Sequence, residues 1–191
     1  MKKKLLVIFF IWMTVLAAAA NVYPEQLRVQ FNEHKYNQVL NSSFYLKGNI
    51  SYDTIDAIRN GITARFYITV QLLEKGSFLG MGKNVLKELV EIFIISYDVW
   101  ENNFVVQNKK TAEKHNVESS TDIITVINQT LSPLKLKISP QKRDERLFLR
   151  AKVRIQTLKL YPPLGIFLYF FDPWNYESEW TTTQVFSLDE L

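Results

Sequence analysis

The stretch Ala64–Leu72, ARFYITVQL, decides the fold. Its apolar residues Ala64, Phe66, Ile68, Val70 and Leu72 fall at every second position, separated by Arg65, Tyr67, Thr69 and Gln71. Successive side chains of a strand point to opposite faces, so this period of two predicts a half-buried β-strand. A second stretch, Leu147–Ile155 (LFLRAKVRI), alternates as strictly, with Leu147, Leu149, Ala151, Val153 and Ile155 inward and Phe148, Arg150, Lys152 and Arg154 outward. Two such strands imply a sheet with one face on a core.

Between them, Val85–Asp98 reads as a long strand that is apolar on both faces at Val90, Ile92, Phe93, Ile94 and Ile95. Such a strand needs cover on both sides. Thr121–Leu131 offers it: Ser119, Ser120 or Thr121 can cap a helix, and Ile123, Ile124, Ile127 and Leu131 form its apolar stripe. This helix is expected over the face carrying Phe93 and Ile95. Shorter strands are expected at Leu27–Phe31, Phe44–Ile50, Phe104–Gln107, Leu134–Ile138, Ile166–Phe171 and Thr181–Phe186. In SYDTIDAIRNG, Ser51 or Asp53 caps a helical turn, Ile55 and Ile58 share its inner face, and Gly61 ends it. Asn108–Ser120 reads as a polar connection and Glu74–Gly82 as a loop lacking the Lys-Ser/Thr ending of a phosphate-binding motif. Pro162-Pro163 ends a ladder whose alternation already slips at Leu158 and Leu160. The expectation is a mainly β domain over residues 21–191. Its form is a two-sheet antiparallel sandwich, immunoglobulin-like or similar, with seven to nine strands, one covering α-helix and one or two helical turns.

The first twenty residues stand apart. Lys2, Lys3 and Lys4 precede an apolar run, Leu5–Leu16, and small residues end at Ala20, the layout of a signal peptide cleaved there. The expected location is periplasmic or secreted, with an uncleaved anchor in the inner membrane as the alternative. Removing the leader takes 23 basic residues to 20 against 19 acidic ones, a net charge of +1. Nucleic acid binding thereby loses its electrostatic motive. The chain has no Cys, which excludes thiol catalysis, thiolate metal sites and disulfides.

Three patterns bear on chemistry. Arg150, Lys152 and Arg154 place like charges about 6.6 Å apart on one strand face, suited to an anionic ligand unless Glu88 or Glu91 pairs with them across the sheet. His34 and His115, the two histidines, lack metal-ligand spacing, and no serine elbow accompanies them, so neither a metal, a cofactor nor a catalytic residue is expected. Phe170–Trp180 (FFDPWNYESEW) gathers Asp172, Glu177 and Glu179 with Trp174, Tyr176 and Trp180, the ingredients of a glycosidase or sugar-binding cleft. The alternative is structural: an Asp-Pro turn, tryptophans sealing the last strand, and two solvated acids on one face. The structural reading is preferred.

The chain also resembles an uncharacterised family of exported bacterial proteins, domain of unknown function 4390. The likeness rests on the leader, AIRNGITARFYITVQLLEKG, the YDVW segment, the central helix and LKLYPPLG followed by DPWNYESEW. It implies a setting in a Gram-negative-type envelope and transfers no catalytic residue. The function expected is a non-catalytic interaction module for an envelope protein, using Trp174, Tyr176 and Trp180 or a sheet edge. A binder of an anionic or amphiphilic ligand through Arg150, Lys152 and Arg154, with peripheral membrane contact, is the alternative; a hydrolase is a third.

Overall fold

The computed structural model describes residues 26–36, 39–75, 83–137, 146–157 and 175–187. Within them, ten strands and two helices follow in the order β1 (Arg28–Tyr36), β2 (Val39–Lys47), α1 (Tyr52–Arg59), β3 (Ala64–Lys75), β4 (Lys83–Asp98) and β5 (Asn103–Asn108). The chain continues through β6 (Lys114–Val117), α2 (Asp122–Thr130), β7 (Leu134–Lys137), β8 (Leu147–Thr157), β9 (Tyr176–Glu177) and β10 (Thr181–Thr182). The expected mainly β, two-sheet antiparallel arrangement is what forms. One sheet runs β1-β2-β7; the other runs β10-β8-β3-β4-β5-β6, with β9 also on β8.

β3 is central because both its edges are occupied, by β4 and by β8, in antiparallel register over its length. Its inward row, Ala64, Phe66, Ile68, Val70 and Leu72, is buried together with Phe93 and Ile95 of β4 and Leu149, Ala151, Val153 and Ile155 of β8. Each large apolar side chain buried this way contributes about 1.5–3 kcal/mol. The smaller sheet supplies Val29, Leu40, Leu46, Leu134 and Leu136 to the same core.

α1 forms as its sequence dictates. The Ser51 hydroxyl accepts from the Thr54 amide at 3.2 Å, and Ile55 and Ile58 are buried. Its end is a Schellman turn: Ile62 N–H donates to the Ala57 carbonyl and Gly61 N–H to Ile58, with Gly61 at φ +88°. α2 buries Ile123 and Ile127 and is shorter than its predicted span by its end residues, Thr121 and Leu131, which serve as caps. It covers the inner face at β5 and β6 and reaches β2; the helix against β4 itself is α1.

Three differences from the sequence reading have local causes. Asn108–Ser120 contains β6, because the Asn108 side chain accepts from the Lys110 and Thr111 amides and folds the chain back on β5. Thr181–Phe186 is two residues of ladder followed by a paired bridge between Phe186 and Leu147. Glu91 lies opposite Ile68 in the inward row, where it is 5% exposed and meets Lys110 at 3.4 Å. The strand expected at Ile166–Phe171, the slip at Leu158 and Leu160, the Pro162-Pro163 break and the leader lie outside the described residues.

Candidate basic and aromatic face

The outward face of the larger sheet carries Arg150, Lys152 and Arg154 along β8. In register beside them on β3 stand Gln71, Thr69 and Tyr67. On the other side, β9 and β10 are two pieces of one edge strand. Tyr176 and Glu177 face Ile155 and Arg154, whereas Thr181 and Thr182 face Ala151 and Arg150, so one residue of register is lost between them. The bulge is held by Ser178, whose amide donates to the Val153 carbonyl at 2.9 Å and whose hydroxyl accepts from the Val153 amide at 3.1 Å. Bulges re-aim side chains. Here the result is Trp180, lying over the cationic row.

The indole of Trp180 has the Arg150 guanidinium carbon 4.3 Å and the Lys152 ammonium 4.8 Å from its ring centroid. Arg150 also donates to the Gln71 amide oxygen at 2.8 Å, and Gln71 in turn donates to Glu88. Glu88 therefore reaches Arg150 only through Gln71, and Glu91 lies on the opposite face. Arg154 stacks on Tyr67 at 4.8 Å. Lys152 alone of the three meets a carboxylate among the described residues, that of Glu177. That hydrogen bond, with smaller help from the charges of Lys152 and Arg154, holds the Glu177 carboxyl below the usual range. Arg150 and Arg154 remain charged groups pre-oriented on aromatic rings with donors to spare. Two strands away on β4, Val90 is exposed and Ile92 and Ile94 are half-buried on this same outward face.

The other sequence candidates separate from this group. Trp174 and Asp172 lie outside the described residues. Tyr176 is half-buried and donates its hydroxyl to the Leu27 carbonyl at 2.6 Å; burial raises its phenol above the ordinary value. Glu177 is committed to Lys152, and Glu179 is exposed. His34 Nδ1 is 2.8 Å from Ser42 Oγ, a serine–histidine contact, but Ser42 is fully buried and open to no substrate. Among the described residues no group of three His, Asp or Glu side chains is placed to hold a metal ion, and no helix is long and apolar enough to cross a membrane.

One exposed residue, placed by the sequence in the turn Trp100–Asn103, was not among its candidates for binding. Trp100, at the turn between β4 and β5, is 98% exposed, and Val99 beside it is 70% exposed. The turn is ordered around them: Asp98 accepts from the amides of Trp100 and Glu101, and Tyr97 donates to the side chain of Asn102, which sits at φ 51°. The signal was present, since the alternation ends at Asp98 and Trp100 falls beyond the ladder.

The fold and this face define a class: mainly β, two antiparallel sheets packed on one core, with a basic, aromatic outer surface on the larger sheet. The chain belongs to the family described as domain of unknown function DUF4390, whose profile matches residues 29–184. That span runs from β1 to just past β10 and includes every residue of the face. No curated protein and no solved structure matches the chain.

Proposed function

We propose that this protein is an exported, non-catalytic interaction module of the bacterial envelope, and that it binds another envelope protein through the outward face of the larger sheet. The observation that carries the reading is Arg150, stacked on Trp180 and tied to Gln71 with no carboxylate in contact among the described residues. Trp and Arg dominate the energetics of protein interfaces, and a held guanidinium loses little freedom on binding. The partner surface suited to it offers carboxylates beside an apolar patch, the carboxylates for Arg150 and Arg154 and the patch for Val90, Ile92 and Ile94.

A photo-crosslinker placed at Thr69, in the middle of the face, tests this. One discrete adduct is expected in cells, lost when Arg150 and Arg154 are both changed to Glu, and retained when Lys35 on the other sheet is changed to Glu. Purified partner should then bind the wild type at least tenfold more tightly than Trp180→Ala. Adducts indifferent to the charge reversal exclude the face. N-terminal sequencing of the mature protein should begin at Asn21; an intact leader selects the anchored form.

The same face supports a second reading. Apolar Ile92 and Ile94 beside cationic β8 also suit an anionic amphiphile, with its head group at Arg150 and Arg154 and its chain across β4. Binding to phosphatidylglycerol vesicles that is abolished by salt and absent with phosphatidylcholine favours this ligand over a protein.

A further inference from the structure

A groove of about 560 Å³ opens where the edge of the smaller sheet meets Thr181–Phe186, bordering the basic face at Thr182, the register partner of Arg150. Its walls include Gln30, Phe31 and His34 of β1 and Thr182, Gln184 and Phe186 beyond. We infer that this groove is a binding site for a neutral saccharide.

The floor is aromatic and continuous. A register slip in β1 between Phe31 and His34 puts His34 in the inward row with Phe31, where straight alternation would have placed its neighbour. The His34 ring stacks on Phe186 at 5.6 Å with 21° between planes and meets Phe31 at 5.7 Å. Ser42 fixes the ring through Nδ1, leaving Nε2 as its remaining hydrogen-bonding atom. Burial pushes the imidazole below its ordinary value, so the floor is uncharged at neutral pH.

Among the described residues the rim is polar without charge. The Gln184 amide and the hydroxyls of Thr181 and Thr182 supply donors and acceptors, the Gln30 oxygen already accepts from Tyr45 and the Thr183 hydroxyl is bonded to the Leu149 backbone, and no described Asp, Glu, Lys or Arg lines the groove. That pairing selects the ligand. An anion or cation finds no counter-charge among the described residues, and a wholly apolar ligand would bury the amide and hydroxyls unsatisfied. A pyranose presents C–H faces to aromatic rings and hydroxyls at its periphery. The volume lies within the range of small-ligand sites, and the fixed ring stack leaves little to reorganise on binding.

The two histidines make the test direct. In the full chain, ring resonances of His34 and His115 are followed by NMR during titration with maltotriose and with chitotriose, and sedimentation with amylose and chitin particles runs in parallel. Saturable shifts at His34 with His115 unmoved are expected. Gln184→Ala and Thr182→Ala, both at exposed positions, should each weaken binding by about tenfold with unchanged unfolding midpoints. Arg154→Glu, at the end of the cationic row remote from Thr182, should leave the titration unaltered, which separates this site from the basic face. Sedimentation with the particles identifies a polymeric glycan as the source, and binding to the free sugars alone a soluble one. Silence at His34 with every sugar, equal shifts at His115, or binding only of a neutral extended peptide of alternating threonine and valine overturns the assignment.

Discussion

The side-chain amide of Asn128 makes both hydrogen bonds to Leu46 that a neighbouring strand would make: Leu46 N–H donates to its oxygen at 2.7 Å, and its nitrogen donates to the Leu46 carbonyl at 2.9 Å. A helix residue thus completes the ladder of β2 and fastens α2 across the two sheets. Asn128→Ala leaves both backbone groups of Leu46 without a partner, and about 1–3 kcal/mol should be lost. Urea unfolding measures it, and faster amide exchange at Leu46 should accompany the loss.

Gly61 should tolerate no side chain, although nothing lies within 4 Å of where a Cβ would be. The constraint is its φ of +88°, not space. Gly61→Ala should cost about 1 kcal/mol, and Gly61→Asn less, because Asn is the next most tolerant residue in that conformation. Thermal unfolding of the pair distinguishes conformational strain from a packing effect.

Stability should fall as the pH drops below neutrality, through His34. Its folded-state pKa lies below the ordinary 6.5, so the unfolded chain binds the proton more readily. The contribution of the neutral ring is therefore complete above 6.5 and is lost progressively as the pH falls beneath it. His34→Gln should flatten the dependence of the unfolding midpoint on pH between 7 and 5.

Trp100 and Asp98 should behave oppositely for their size. Trp100→Ala removes a large side chain that touches little, and the change should stay within about 0.5 kcal/mol. Asp98→Ala strips the acceptor from two turn amides and should cost about 1 kcal/mol. Equal losses would mean that the tip packs on the fold.

Tyr176→Phe should lower stability by about 1 kcal/mol by leaving the Leu27 carbonyl without its donor. The bond joins an early strand of one sheet to the last edge of the other. Chemical denaturation with an unchanged dependence on denaturant concentration would show that only this bond was lost.

The sheets were legible because their signal is hydrophobic period. Ala64–Leu72 and Leu147–Ile155 each announce an inward row, and all ten of those apolar residues are buried. α1 was legible from its caps. What escaped was whatever depends on a slip. Alternation from Leu27 through Phe31 carries no sign that one residue of β1 is left over, so the sequence hides that His34 faces Phe186. The same holds for the bulge that lays Trp180 over Arg150. Glu91 escaped for another reason: an acid in an inward row is readable only once Lys110, nineteen residues on, is known to reach it. The cationic row itself was plain, but its partners come from β3 and β9, which no local pattern links to β8.

The placement of β8 against β3 governs how the chain must fold. β3 and β4 are consecutive and can zip as a hairpin as soon as both exist. The other edge of β3 waits for a strand that follows β4, β5, β6, α2 and β7 in sequence. Closing so long a loop is slow, and until it happens the central strand of the larger sheet offers an open edge. A chain truncated before Leu147 would keep its hairpin but not its core, and would aggregate through β3. Any factor that escorts this protein before it is complete has that edge to shield.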